Sequence, residues 1–376
     1  MRILVTVPWT ERLGGAEAML QTVLDGVGER EHEFEFVFFD SGPWPTELRS
    51  AGFRVDVIST GRLRQIHRWM TSVFLLMRII RRRKPDLILN WAGKAQLYGA
   101  PAAVLAGMAD RVVWWHHAIP ARIWIDRCAT ALPAIAVGCY TKAAAEAQAQ
   151  LHPSRPTFVV APGTRMPRPQ PQPAPLQLPA DVPIVGIVGR LQPWKGQDRL
   201  LKAQAILHER GHRCHVVIVG GDAYNLSPEY ARSLAPLIRG LQLDGAVTMT
   251  GQVPDAAPYV DQMDILVNAS DPEPFGIVLL EAMARSVAVV AVNSGGPAEF
   301  IEDGRTGMLA SSGAPEALAD ALEPLLVSPD LRQTIGQAGR DVFERDYTDV
   351  AMRSRFFGHL EALLGDRHVQ RAGGHD

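Results

Sequence analysis

Short apolar, β-branched runs recur along almost the whole chain, each followed by a longer stretch of helical periodicity, and this alternation restricts the fold more than any other feature. In the first half the strand candidates are residues 3–7, 34–39, 54–58, 87–90, 112–115, 134–137 and 158–160, with helical patterns such as 16–27 and 141–150 between them. Runs that are apolar throughout suit strands covered on both faces. The βαβα order therefore predicts a parallel sheet with helices on either side. A second series follows at 184–189, 215–219, 247–250, 265–269 and 287–292.

Between the two series, prolines recur at Pro167, Pro169, Pro171, Pro173, Pro175 and Pro179, a composition that suits neither a helix nor a central strand. The reading is an α/β domain over 1–165, a Pro-rich linker over 166–182 and a second α/β domain over 183–347. A helix over 348–364, apolar at Met352, Phe356, Phe357, Leu360, Leu363 and Leu364, is expected to pack back on the first domain. The polar tail 365–376 is expected to be disordered. A length of 376 residues fits two cores better than one. In doubly wound folds ligands bind beyond the carboxyl ends of the strands, so two facing halves are expected to share one cleft.

Charge removes several function classes. With 38 Lys+Arg against 40 Asp+Glu, the net charge of −2 gives no global attraction to nucleic acid. Cys128, Cys139 and Cys214 are odd in number and lack CxxC spacing, so they read as reduced thiols. The chain opens on a strand-like run, and no apolar stretch approaches the roughly 18–20 residues of a spanning helix. The expectation is a cytoplasmic protein, at most peripheral to the inner face of a membrane.

Chemistry-bearing residues gather at the ends of the second series. Gly189-Arg190-Leu191-Gln192-Pro193-Trp194-Lys195-Gly196 follows a strand candidate and places two cations five residues apart on a glycine-flanked turn. Such a pair suits the two phosphates of a pyrophosphate. Next come Glu273-Pro274-Phe275-Gly276 and Glu281, with a helix expected to begin near Phe275 or Gly276, so that both carboxylates address one side. Gly295-Gly296-Pro297-Ala298-Glu299 is a glycine-rich turn, and Gly304-Arg305-Thr306-Gly307 reads as a tight turn only. Taken singly, each is as readily a solvated loop or a set of capping charges. Their joint occurrence in order carries the weight. GxGxxG and P-loop spacings are absent, which argues against a nicotinamide-dependent oxidoreductase.

This series, with Gly14-Gly15-Ala16-Glu17, Trp115-His116-His117 and Gly220-Gly221-Asp222, resembles the retaining GT-B glycosyltransferases of glycosyltransferase family 4. The resemblance implies two facing Rossmann-like domains, the first binding acceptor and the second a nucleotide sugar. It implies a hexose-type transfer from a nucleotide diphosphate sugar, UDP favoured, to a hydroxyl of a glycan, glycolipid or natural product. A sugar-nucleotide epimerase-type isomerase on the same plan is the alternative.

Carried over residue by residue, the resemblance assigns catalytic roles to His117, Arg190, Lys195 and Glu273. Arg190 and Lys195 would bind the diphosphate. Glu281 would hold the ribose hydroxyls, and Glu273 with the amides of Phe275, Gly276, Ile277 and Val278 would hold the sugar and distal phosphate. Gln252 and Val253 fall where relatives meet the base. Gly14, Gly15 and Gly220 would approach the donor, with His116 a second candidate beside His117. No Asp-x-Asp occurs in the chain, so the cations are expected to replace a metal, and neither metal nor cofactor is expected.

One stretch stands apart. Between residues 61 and 86 there are eight Lys/Arg, and no acidic residue precedes Asp86. A membrane-surface helix is one reading. The preferred one is a core helix followed by a basic turn at 81–84, because an apolar stripe is needed to cover the sheet.

Overall fold

The computed structural model describes residues 1–12, 14–26, 32–61, 64–121, 123–167, 174–222 and 225–372, with side chains to residue 365. The chain forms two compact units, one of Met1–Pro162 with Met352–Asp376 and the other of Gly163–Ala351. Each is a Rossmann-like domain. The centre of the Pro-rich connector, 168–173, lies outside the described residues.

The first unit holds β1 (Arg2–Val7), β2 (Glu33–Phe38), β3 (Arg54–Val57), β4 (Leu87–Trp91), β5 (Val112–His116), β6 (Ala136–Cys139) and β7 (Thr157–Val159). They pair in the order β3-β2-β1-β4-β5-β6-β7, and every pairing is parallel. Helices α1 (Gly15–Leu24), α2 (Pro43–Ser50), α3 (Ile66–Arg83), α4 (Gly93–Ala106), α5 (Trp124–Ala131) and α6 (Lys142–Leu151) fill the connections. β4 and β5 are buried at every position, which is why they read as unbroken apolar runs. Thr141 caps α6, its hydroxyl accepting the amide of Ala144 at 3.1 Å.

The second unit holds β8 (Ile184–Val188), β9 (His215–Val219), β10 (Val247–Met249), β11 (Ile265–Asn268), β12 (Ala288–Val292) and β13 (Met308–Ala310), in the order β10-β9-β8-β11-β12-β13. Its helices are α7 (Gln197–Glu209), α8 (Pro228–Gly240), α9 (Ala257–Val260), α10 (Ile277–Met283), α11 (Pro315–Val327) and α12 (Pro329–Asp346). Beyond residue 173, the connector is tied to this unit. Leu176 donates to Gln262 Oε1 at 3.1 Å, and Gln262 Nε2 donates back to the Leu176 carbonyl at 2.8 Å.

Both sheets reverse direction beside their first strand. The chain builds outward from β1 to β3 and from β8 to β10, then returns to the other flank at β4 and at β11. These are topological switch points, where the loops after neighbouring strands part and leave a crevice.

Three expectations change. The residues at 81–83 are the last turn of α3, and only Lys84, in the left-handed region at φ 48°, leaves it. The reason is burial: Arg83 turns inward to pair with Glu35 at 2.8 Å and with Asp56. The final helix, α13 (Asp349–Ala372), passes 364, so the tail expected to be disordered is helical as far as Ala372, and 373–376 lie outside the described residues. A strand at Met308–Ala310 was not anticipated. It is a three-residue edge strand, too short to show a pattern.

Candidate active site

In the second unit, the loops that follow β8 and β11 meet across the switch point. Lys195 Nζ lies 2.8 Å from Glu273 Oε2, with both side chains mostly buried. Asn268, the last residue of β11, donates Nδ2 to the same oxygen at 3.1 Å. Burial would raise the Glu273 carboxyl, but the Lys195 ammonium, with Ser270 and Asn268 donating, overcomes it and holds the group below its usual range. The lysine ammonium also sits over the Trp194 ring, 4.1 Å from its centroid.

Arg190 is half-buried on the same turn, and its guanidinium makes no hydrogen bond or ion pair among the described residues. Its carbonyl is fixed by Gln197 Nε2 at 3.0 Å. The turn thus holds one cation shared with a carboxylate and one with all its donors open. Two cations with spare donors on a rigid turn are suited to a polyanion.

The Glu273 loop is clamped from behind. The Gly296 amide donates to the Glu273 carbonyl at 2.8 Å, and a Cβ at Gly296 would stand 2.4 Å from Phe275 Cα and 2.7 Å from the Pro274 carbonyl. Only glycine permits that backbone-on-backbone approach. Phe275 stacks on Phe300 with ring centroids 5.1 Å apart, so the loop rests on an aromatic floor. Glu273 itself precedes α10, which runs Ile277–Met283 from an N-cap at Gly276. The eight residues from Glu273 to Glu281 are therefore not two helical turns, and the spacing argument for a shared face does not hold. The amides of Ile277 and Val278 open the helix and lack intrahelical acceptors.

Glu281 lies on α10. Burial pushes its carboxyl up to about 7, with Arg285 drawing it down in part and Asp255 adding to the rise. Gln252 and Val253 follow the isolated bridge that joins Gly220 to Gly251. Gly220 has a packing reason to be glycine: its φ is 133°, and a Cβ there would meet the Gly189 carbonyl at 2.1 Å.

In the first unit, Gly14 caps α1 and Gly15 opens it, while His116 and His117 stand at the end of β5. Gly14 is extended, a conformation open to any residue. His117 sits among Trp9, Trp91 and Tyr140, with ring centroids at 5.6, 4.8 and 5.1 Å. Its Nδ1 is 2.5 Å from the Tyr140 hydroxyl, and its Nε2 is buried with no hydrogen bond among the described residues. Burial, then the neighbouring His116, depresses its pKa well below the usual histidine value, with the Trp91 carbonyl offsetting part of the effect. The ring is thus neutral at pH 7. His116 turns elsewhere: it packs edge-on to Trp114 at 4.9 Å, and its Nδ1 lies 2.6 Å from the Ala118 carbonyl.

Two residues were missed. Arg199 donates to the carbonyls of Trp194 at 2.9 Å and Ala269 at 2.6 Å, tying the Lys195 turn to the end of β11. In the sequence it looks like a helix-surface cation. Asn268 did leave a signal, as the polar residue ending an otherwise apolar strand. Among the described residues no group of three or more His, Cys, Asp or Glu is placed to hold a metal.

Residues 170–342 match the family model described as glycosyl transferases group 1. The chain is 25% identical over 350 residues to the lipopolysaccharide core biosynthesis glycosyltransferase LpsE of Rhizobium meliloti, covering 91% of this chain and 94% of that one. It is 33% identical over 232 residues to a D-inositol 3-phosphate glycosyltransferase of Corynebacterium aurimucosum, 59% of this chain and 54% of that protein. The match thus spans about half the length of the inositol-phosphate relative. Among solved structures, HepE of Anabaena in complex with UDP and glucose has the same fold, with a TM-score of 0.81 at 23% identity over 96% of this chain and 99% of that one.

Proposed function

We propose, from the match of residues 170–342 to the glycosyl transferases group 1 family model, that this protein moves a hexose-type sugar from a nucleotide diphosphate sugar to an acceptor hydroxyl. We assign it a UDP donor, retention at the anomeric carbon and no metal. The acceptor class is a glycan, glycolipid or natural product. One observation carries the reading: the Lys195–Glu273 pair across the switch point, with the open guanidinium of Arg190 on the same turn.

The chemistry follows from charge. Transfer breaks the glycosyl–phosphate C–O bond, whose electron pair stays on the diphosphate while positive charge develops on the sugar. Lys195 has three donors and uses one on Glu273, so two remain for phosphate oxygens. Arg190 supplies a fork beside it. Fixed cations aimed at a developing anion are worth about 2.7–4 kcal/mol each in comparable sites. Glu273, held ionised, accepts from sugar hydroxyls. The acceptor oxygen bonds to the anomeric carbon on the face the diphosphate leaves, and its proton passes to the departing phosphate. Our role for neutral His117 is a hydrogen bond to a sugar hydroxyl.

The test is a matrix of UDP-, GDP- and dTDP-hexoses, each with and without a hydroxyl acceptor and with and without EDTA. A glycosylated acceptor from the UDP donor, undiminished by EDTA, is expected. Epimerised donor in the absence of acceptor, or activity that returns only with Mn²⁺ or Mg²⁺, would overturn the reading.

Glu281 adds a pH dependence. Its folded-state pKa of about 7 lies above the unfolded carboxyl range, so its contribution to stability is full only below that range, declines as pH rises beyond it and is lost by about pH 7. A carboxylate is needed to accept from two ribose hydroxyls. Nucleotide affinity should therefore fall by up to about tenfold per unit below pH 7 and level off above it. Titration calorimetry in buffers of different ionisation enthalpy should show proton release on binding at pH 6. A Glu281→Gln variant that kept the same slope would show the proton to belong elsewhere.

A further inference from the structure

The basic stretch of the first unit is used twice by α3. One face, with Val73, Leu76, Met77 and Ile80, is buried on the sheet, as a core helix requires. A second row of side chains, which starts beside that face and winds outward, is also apolar over its first half. Ile66, Met70 and Phe74 are 68%, 60% and 53% exposed and stand four residues apart, so they form a single ridge. That ridge continues at the same spacing into Arg78 and Arg82, both exposed. Arg81 reaches across to the Leu105 carbonyl at 2.6 Å, which places the exposed Val104 and Leu105 of α4 beside the cationic end.

Large apolar side chains on a free helix face cost solubility and are uncommon without a partner. Here the partner's chemistry is restricted by charge. No Asp or Glu occurs between residues 61 and 85, and Arg78 forms no ion pair among the described residues. Arg82 has Asp56 3.5 Å away but stays two-thirds exposed. A hydrophobic ridge running into arginines matches a layer that is apolar inside and anionic at its surface. Among the described residues no helix is long and apolar enough to cross a membrane, so this face would lie on a bilayer and not span it.

We propose that the Ile66–Met70–Phe74–Arg78–Arg82 ridge of α3 docks the protein on the surface of an anionic lipid bilayer. The apolar residues enter the headgroup boundary and the arginines meet lipid phosphates. The N-terminal end of α3 follows β3, so the ridge begins at the edge of the sheet where the strands end, the edge that also carries His117. The proposal does not depend on the donor or the reaction.

The test is flotation of the full chain with vesicles of phosphatidylcholine alone and with about one-third phosphatidylglycerol. Binding is expected to the anionic vesicles only and to weaken as salt rises, because surface attraction is screened within about 10 Å at 0.1 M. Arg78→Glu should lower the partition coefficient more than fivefold, since each cation near an anionic surface is worth about that factor. Met70→Glu with Phe74→Glu should abolish flotation, leaving the melting temperature and the thermal shift with UDP unchanged. Failure of the wild-type chain to float with anionic vesicles overturns the proposal. So does equal flotation of the double variant, or a concentration-dependent dimer, formed without lipid, that the double variant loses.

Discussion

Lys195→Ala and Arg190→Ala are expected to lower kcat/KM alike, each by about 100-fold or more, and to differ sharply in stability. Among the described residues the Arg190 side chain has no partner to abandon, so its loss should leave the unfolding free energy within about 0.5 kcal/mol. Removing Lys195 strands a buried carboxylate that loses the charge holding it ionised. Breaking a buried pair by deleting one partner costs about 3–5 kcal/mol.

The sign of the pH dependence separates the two effects further. In the wild type the depressed Glu273 contributes stability above the unfolded carboxyl range and loses it as pH falls through the folded value. In Lys195→Ala, burial dominates, the carboxyl rises, and the stability deficit should grow with pH instead. Adding Glu273→Gln should restore most of the stability and none of the turnover. Urea melts between pH 3 and 8, paired with steady-state kinetics, check all three statements. A double variant as unstable as the single one would show that the cost lies in packing and not in the stranded charge.

The sequence made the strands legible because buried parallel strands are apolar at nearly every position; β9 was read to the residue as His215–Val219. β6 was read two residues early. Ala134 and Ile135 are as apolar as the strand itself, and only the register with β5, Val113 opposite Ala136, sets its start. The separate residues of the site were visible in their turns, but the contact between Lys195 and Glu273 was not. They stand 78 residues apart, and the sheet order that places β11 beside β8 decides that they meet. Gly296 read only as part of a glycine-rich turn, whereas its position is dictated by the backbone of Phe275 against it. Two-sided burial writes itself into composition. Contacts across a sheet do not.

Phe356→Ala is expected to cost about 3–5 kcal/mol, and ending the chain before Val350 should unfold the first domain altogether. α13 begins in one unit, where Thr348 caps it by accepting the Ala351 amide at 3.2 Å, and from Met352 belongs to the other. Met352, Phe356, Phe357 and Leu360 are all buried there. Phe356 lies 5.1 Å from Trp115 and 6.3 Å from Trp91, ring to ring, and those two indoles stack on each other at 5.0 Å. Trp91 in turn meets His117 edge-on at 4.8 Å and donates its indole N–H to the Ala16 carbonyl at 3.0 Å. The helix therefore supplies one wall of the core that seats His117. Burying each of its four large side chains contributes about 1.5–3 kcal/mol, so their joint loss is of the order of a whole domain's stability, about 5–15 kcal/mol. Hydrogen exchange on the truncated chain should show protection lost over 1–162 and kept over 163–349. Val350→Ser is the control, because Val350 is 62% exposed and should cost almost nothing. If Phe356→Ala melted like the wild type, the helix would be an appendage and the tryptophan core complete without it.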